Sequence, residues 1–173
     1  MDWVVESQRL GLRPMTEDDF DSLCVFLQDA EVMAAWEHAF SDDEVRAWIA
    51  ENRRRYAAGE PSYYVAVEKA TGGIVGAMGP LIETIGDERH MGVAYILAKA
   101  HWGRGLAAEG AGACMAYAFS SLGARRVIAE IRPENRRSRR VAERLGMQVT
   151  GEFVKRYHGK DMLHLIYSRE RTV

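Results

Sequence analysis

The sequence predicts an α/β domain on a mixed, mostly antiparallel sheet. Three observations carry this: two acid-capped amphipathic helices near the start, three β-rich runs joined by short turns, and a later strand–helix–strand crossover. Ser7 to Arg13 alternates ahead of Pro14 as a first strand. Thr16-Glu17-Asp18-Asp19 is a T-x-x-D cap that leads into Phe20, Leu23, Cys24, Phe26 and Leu27 at helical spacing. Ser41-Asp42-Asp43-Glu44 is an S-x-x-E box, and Val45, Trp48, Ile49 and Tyr56 continue an apolar stripe until Gly59-Glu60-Pro61 stops it. Strands follow at Tyr63–Val67, Ile74–Glu83 and His90–Leu97, separated by Thr71-Gly72-Gly73 and Gly86-Asp87. Leu106–Leu122 reads as a helix closed by Gly123, Arg126–Ile131 as a strand, and Asn135–Leu145 as a helix ended by Gly146. Met147–Lys155 and Met162–Tyr167 are two last strands. The order is βααβββαβαββ, and the helix between His90–Leu97 and Arg126–Ile131 makes those two strands parallel neighbours.

At 173 residues and 47% hydrophobic, the chain matches one domain, 1–173, with a sizeable core; no repeat or low-complexity linker interrupts it. Cys24 and Cys114 lie 90 positions apart within helical stretches, which excludes a disulfide framework and a CxxC metal or redox site. No metal is expected. The first residues, Met1-Asp2-Trp3-Val4-Val5-Glu6, lack a basic segment followed by an apolar one, and no run approaches the ~18–20 apolar residues that span a bilayer. A soluble, cytoplasmic protein is expected.

With 23 Lys+Arg against 25 Asp+Glu the formal charge is −2, so any charge argument is local. Thr16 to Val45 holds ten acids and no Lys or Arg, whereas Arg125 to Arg144 holds eight Arg against three Glu. The first segment favours a cationic ligand, although helix N-termini attract acids in any case. The second could meet an anion. As a nucleic-acid patch (Arg132, Arg136, Arg137, Arg139, Arg140, Arg144) it lacks interleaved aromatics and is interrupted by Glu134 and Glu143, so an RNA-binding module is the disfavoured alternative.

Trp102-Gly103-Arg104-Gly105-Leu106-Ala107 follows a strand and opens a helix. Two glycines there allow backbone N–H groups to turn inward, and the helix N-terminus adds free donors, a cradle suited to pyrophosphate. Gly103 to Ala108 formally fits the dinucleotide fingerprint G-x-G-x-x-A, with Glu130 about 20 residues on. The order of elements opposes it: a meander precedes the loop and too little chain follows Glu130 for further βα units. The run Val93 to Glu109 resembles the acetyl-CoA-binding motif of the GCN5-related N-acetyltransferases, and Asn135-Arg136-Arg137-Ser138, with Leu145-Gly146-Met147 beyond it, resembles their next motif. The W-G-R-G-x-A loop, the N-x-x-S and the L-G ending look most like the ribosomal-protein N-terminal acetyltransferases of the Rim type and their small-molecule-modifying relatives. The likeness covers the chain in element order.

That resemblance implies a splay between His90–Leu97 and Arg126–Ile131, in which pantetheine pairs with the backbone near Ile96, Leu97 and Ala98. It puts pyrophosphate on Gly103, Arg104, Gly105, Leu106 and Ala107 beside Trp102, and Asn135 on the pantetheine or the thioester. It also implies acetyl transfer from acetyl-CoA to a primary amine by direct attack, with a protein N-terminus, polyamine or aminosugar as acceptor. Two positions depart from the family pattern: Ala100 stands where Gln or Arg is usual, and Gly92 where relatives commonly carry an acid.

An amine of pKa about 8 to 10 must lose a proton before it attacks a thioester, and the departing thiolate must gain one. Glu130-Ile131-Arg132 followed by Asn135 resembles the E-V-R-x-x-N of Rim-type enzymes, which makes Glu130 the candidate base. Many relatives take the acid from a Tyr four residues before the Gly that ends the helix; here that position is Ala142, and Ser138 is the substitute, unless it only caps the helix. The missing Tyr leaves a catalytically weakened acetyl-CoA-binding protein as an alternative. Glu83 and His90 on neighbouring strands line the acceptor side or stay on the surface. Trp36, His38 and Phe40 could shape the acceptor pocket. The strands after Gly146 could form a homodimer edge.

Overall fold

The computed structural model describes residues 2–172. Strands β1 (Val5–Glu6) and β2 (Leu10–Arg13) come first, then helices α1 (Phe20–Leu27) and α2 (Asp42–Ala57). Strands β3 (Tyr64–Glu68), β4 (Ile74–Ile85) and β5 (Glu88–Leu97) follow, then α3 (Leu106–Ser120), β6 (Arg126–Ile131), α4 (Arg136–Arg144), β7 (Gln148–Tyr157) and β8 (Lys160–Glu170). All eight strands form one sheet in the order β1-β2-β3-β4-β5-β6-β8-β7. Every neighbouring pair is antiparallel except β5 and β6, the crossover pair, as the element order predicts.

The expected single strand Ser7–Arg13 is instead the end of a hairpin. Ser7 Oγ accepts the Leu10 N–H at 3.1 Å and donates to Glu109 Oε1 at 2.8 Å. The Arg9 N–H and Nε–H both reach the same carboxylate at 2.7 Å. A tertiary contact with α3 therefore turns the chain where alternation alone would run on. The last two strands extend beyond Lys155 and start before Met162, because His158 (φ 48°) and Gly159 (φ 76°) make a tight two-residue turn of the kind that matches strand twist. Both predicted caps form. Asp19 Oδ2 accepts the Thr16 N–H at 2.8 Å, while Ser41 and Glu44 exchange bonds at 3.1 and 3.2 Å.

Period-two alternation sends side chains to two cores. Val93, Leu97, Val127, Ala129 and Ile131 face the layer holding α3 and α4, whereas Ala77, Ile96 and Val65 face α1 and α2. Gly92, Ile128, Glu130 and Glu83 fall by the same alternation on the α1–α2 side. No helix among the described residues is long and apolar enough to cross a membrane.

Candidate functional site

Strands β5 and β6 pair through Gly92 and Ile128 alone and then diverge, although each runs on beyond that point. Ladder groups on both lips are left facing a gap instead of each other. At the end of β5, where the chain enters the glycine loop, Ile96, Leu97 and Ala98 are buried.

In that loop Gly103 (φ 79°) and Gly105 (φ 77°) both take the left-handed conformation that L side chains avoid. No atom lies within 4 Å of a Cβ built on Gly103. α3 begins at Gly105 without a side-chain cap, which leaves its first N–H groups free to bind an anion. The acid in its first turn, Glu109, is drawn aside by Ser7 and Arg9. Arg9 thereby stands beside the loop, its guanidinium 3.7 Å from the Cβ position of Gly105. Leu106 is fully buried and anchors the helix, so only its backbone can serve a ligand. The Arg104 guanidinium pairs with Glu68 and meets His101 Nδ1 at 3.2 Å. Trp102 donates its indole N–H to the Leu97 carbonyl at 2.9 Å and stacks under Arg137, whose guanidinium carbon lies 3.6 Å from the ring centroid. These two side chains fix the loop and leave the binding to backbone groups.

On the α3–α4 side, Asn135 Oδ1 accepts the Ser138 N–H at 3.2 Å and caps α4. Ser138 is therefore not the cap. Its Oγ bonds the Tyr95 phenol at 2.9 Å, and that phenol donates to the Ser138 carbonyl at 2.8 Å. Burial pushes the Tyr95 phenol up to about 12, so it stays protonated and able to donate. Ala142 is fully buried in the core.

On the α1–α2 side, Glu130 keeps only 6% of its side chain exposed. Its Oε2 meets Lys155 Nζ at 3.2 Å, and its Oε1 is buried without a hydrogen-bond partner among the described residues. The Glu83 side chain lies over Gly92 of the intervening strand, on the same face of the sheet, close enough for the Glu130 charge to act on it. Burial first and the Glu130 charge second raise Glu83 to about 7. The Tyr63 phenol, half-buried nearby, is pushed well above its ordinary value by burial and by these two carboxylates. Glu83 is thus half-buried on the α1–α2 side of the sheet. His90, its cross-strand partner, is half-buried and meets Glu88 at 3.5 Å.

A family model described as an acetyltransferase (GNAT) domain matches residues 9–148. The chain belongs to the GNAT acetyltransferases. YkkB of Bacillus subtilis is 33% identical over 142 residues, covering 82% of this acetyltransferase and 83% of that protein. The N-acetyltransferase p20 of Bacillus licheniformis is 30% identical over 148 residues, covering 84% and 82%. RimJ of Mycobacterium smegmatis, solved with a CoA-disulfide, superposes with a TM-score of 0.78 at 23% identity, covering 96% of this chain and 86% of that one.

In this acetyltransferase the charged segments that stood out in the sequence are largely spent internally. Glu17, Asp19, Glu31, Glu37, Asp43 and Glu44 pair with Arg53, Arg13, Lys99, Arg132, Arg46 and His38. Arg132 also reaches the Ala35 carbonyl at 3.1 Å, and Arg139 holds Tyr167 Oη at 2.9 Å. Only Arg136, Arg140 and Arg144 of the cluster stay exposed without such ties, which weakens the nucleic-acid alternative. His38 stacks on His158 at 4.2 Å and bonds Glu44 at 2.7 Å, joining the tip of the β7–β8 hairpin to the segment before α2. His38, Glu44 and His158 have ligand atoms within 4.8 Å of one another and form the one group among the described residues that could hold a metal ion. Phe40 and Trp36 pack against the α1–α2 core.

Arg9, Tyr95, Lys155 and Tyr63 escaped the sequence reading, because each reaches the site from an element far away in the chain. For Glu83 a signal existed. Gly92, a residue without a side chain beside it on the next strand, marks a space that a neighbour can fill.

Proposed function

We propose that residues 1–173 form a single acetyltransferase domain, acting in the cytoplasm, that transfers an acetyl group from acetyl-CoA to a primary amine by direct attack in a ternary complex. The observation that carries this reading is the gap between β5 and β6, with an uncapped helix N-terminus at one end and a buried carboxylate on its lip. The residues present fit the cosubstrate. The nest at Gly103 and Gly105 with the free donors of α3 would take the pyrophosphate. The diverging edges at Ile96, Leu97 and Ala98 would take the pantetheine amides, with Asn135 close by on α4.

When bound, acetyl-CoA supplies the thioester carbonyl. Glu130 accepts the proton that the amine must lose, through the oxygen that has no partner. Ser138, held by Tyr95, donates a proton toward the departing sulfur, and this hydroxyl pair takes the role that Ala142 cannot. The Leu97 carbonyl is held by Trp102, so the end of the strand is fixed before anything binds. A cationic acceptor, whether a protein N-terminus, a polyamine or an aminosugar, suits a buried negative site better than a neutral amine does.

Thermal unfolding with acetyl-CoA, NAD and RNA in parallel tests the reading, since a ligand at ~100 times its Kd adds ~2.7 kcal/mol to the folded state. A rise with acetyl-CoA alone, followed by thiol release against a panel of amines, is the expected result. No rise with acetyl-CoA overturns it.

A further inference from the structure

Glu83 sits on β4, whereas Glu130 sits on β6, and β5 runs between them. Two acids so placed would ordinarily be kept apart by the side chain of the strand in the middle. Here that strand carries Gly92, and a Cβ built on it would lie 2.5 Å from Glu83 Cγ. The glycine is the space through which Glu83 crosses toward Glu130. Burying two carboxylates together is costly unless they share a proton or meet a cation. Lys155 meets one Glu130 oxygen, and the other has no donor among the described residues; it meets the pair's shared proton when the pair is singly protonated and takes the acceptor's proton when both acids are ionised. The remaining groups around Glu83 are the Tyr63 phenol, Arg55 from α2 and His90 across the strand pair, with His164 of β8 on the Glu130 side. Arg55 is itself engaged by Glu51 at 3.1 Å.

We propose that Glu83 is a second catalytic carboxylate, which acts with Glu130 as one proton-accepting pair seated over Gly92. The proposal rests on the acetyl-transfer reading. The acceptor arrives as an ammonium, and one proton passes from its nitrogen to the doubly ionised pair. The freed lone pair attacks the thioester carbonyl carbon; the C–N bond forms, and the C–S bond breaks with its electrons on sulfur. The Ser138 hydroxyl, held by Tyr95, gives its proton to that sulfur and takes the second nitrogen proton in its place. The pair then returns its proton to water, leaving an amide, a free thiol and one released proton. A pair whose last proton leaves near neutral pH is matched to this task, whereas an isolated carboxylate is a weaker base there.

The test begins with side-chain-carboxyl 13C-glutamate labelling of the whole chain, titrated from pH 4 to 9. One carboxyl resonance should show a step near pH 7, vanish in Glu83→Gln, and move down by a pH unit or more in Glu130→Gln. An ordinary titration of Glu83, or one that ignores Glu130→Gln, overturns the pair. Rates come next, with the acceptor returned by the amine panel. Glu83→Gln should lower kcat at least 100-fold at pH 7 and remove the rising limb of the pH profile, with KM for acetyl-CoA within twofold. Gly92→Ala keeps both acids but displaces Glu83, and should cost about tenfold. Glu83→Ala combined with Gly92→Glu grows an acid into the same space and should recover part of the loss. Wild-type kcat in Glu83→Gln overturns the catalytic role, as does a coupled titration in a protein that acetylates no amine. Loss of the acetyl-CoA thermal shift in the wild type breaks the proposed function alone, because the titration still decides the pair.

Discussion

The glycine loop and the carboxylate pair serve the two ends of one reaction and are built from opposite materials. At Gly103–Ala107 the charge comes from backbone dipoles, aligned by two left-handed glycines and one helix start, and the side chains around it only hold it still. At Glu83 and Glu130 the charge comes from side chains that β4, β6, β7 and α2 bring together around the space left by Gly92. A site made of backbone is insensitive to most substitutions but fails when its dihedrals are blocked. A site made of buried side chains is the reverse, sensitive at each group and tunable by pH.

The largest break expected is at Glu130. Glu130→Gln should lower kcat by about 10²- to 10³-fold while the thermal shift with acetyl-CoA stays intact, a combination that a folding defect would not give. Gly105→Val attacks the other end, since a β-branched residue is strained at φ 77°. It should raise KM for acetyl-CoA by about 10- to 100-fold and leave the near-neutral step of the pH profile in place; an unchanged KM would remove the loop from the binding site. Ser138→Ala should cost about tenfold in kcat, with Tyr95→Phe costing less, because the phenol positions the hydroxyl instead of facing the sulfur.

The smallest effect is on stability and has a definite sign. Glu83 titrates higher in the folded chain than in the unfolded one, so the folded state carries no penalty below the unfolded value and loses stability as pH rises toward about 7. Glu83→Gln should therefore stabilise the protein by about 1 to 2 kcal/mol at pH 8 and change little at pH 4, measured by urea unfolding at both. A gain that is equal at the two pH values would mean that the charge is not the cause. Together these variants separate the backbone end from the side-chain end, and any one that moves both sets of readouts would merge them.

What the sequence by itself determined is what depends on neighbours along the chain. The capping boxes at Thr16 and Ser41, the Gly103 and Gly105 pair opening α3, and Asn135 with Ser138 three residues later are all local patterns, and the structure forms them at those positions. The crossover that makes β5 and β6 parallel follows from element order alone. Tertiary structure decided the rest. It turned Ser7–Arg13 into a hairpin through Glu109, gave most of the acid-rich segment partners from elsewhere in the chain with Glu37–Arg132 joining it to the Arg-rich one, and set Tyr95 under Ser138. It also carried Glu83 over Gly92 to Glu130. The reason is physical: a backbone dihedral is fixed by its own residue, whereas the protonation and reach of a buried carboxylate are fixed by whatever packs against it, and those partners lie tens of residues away.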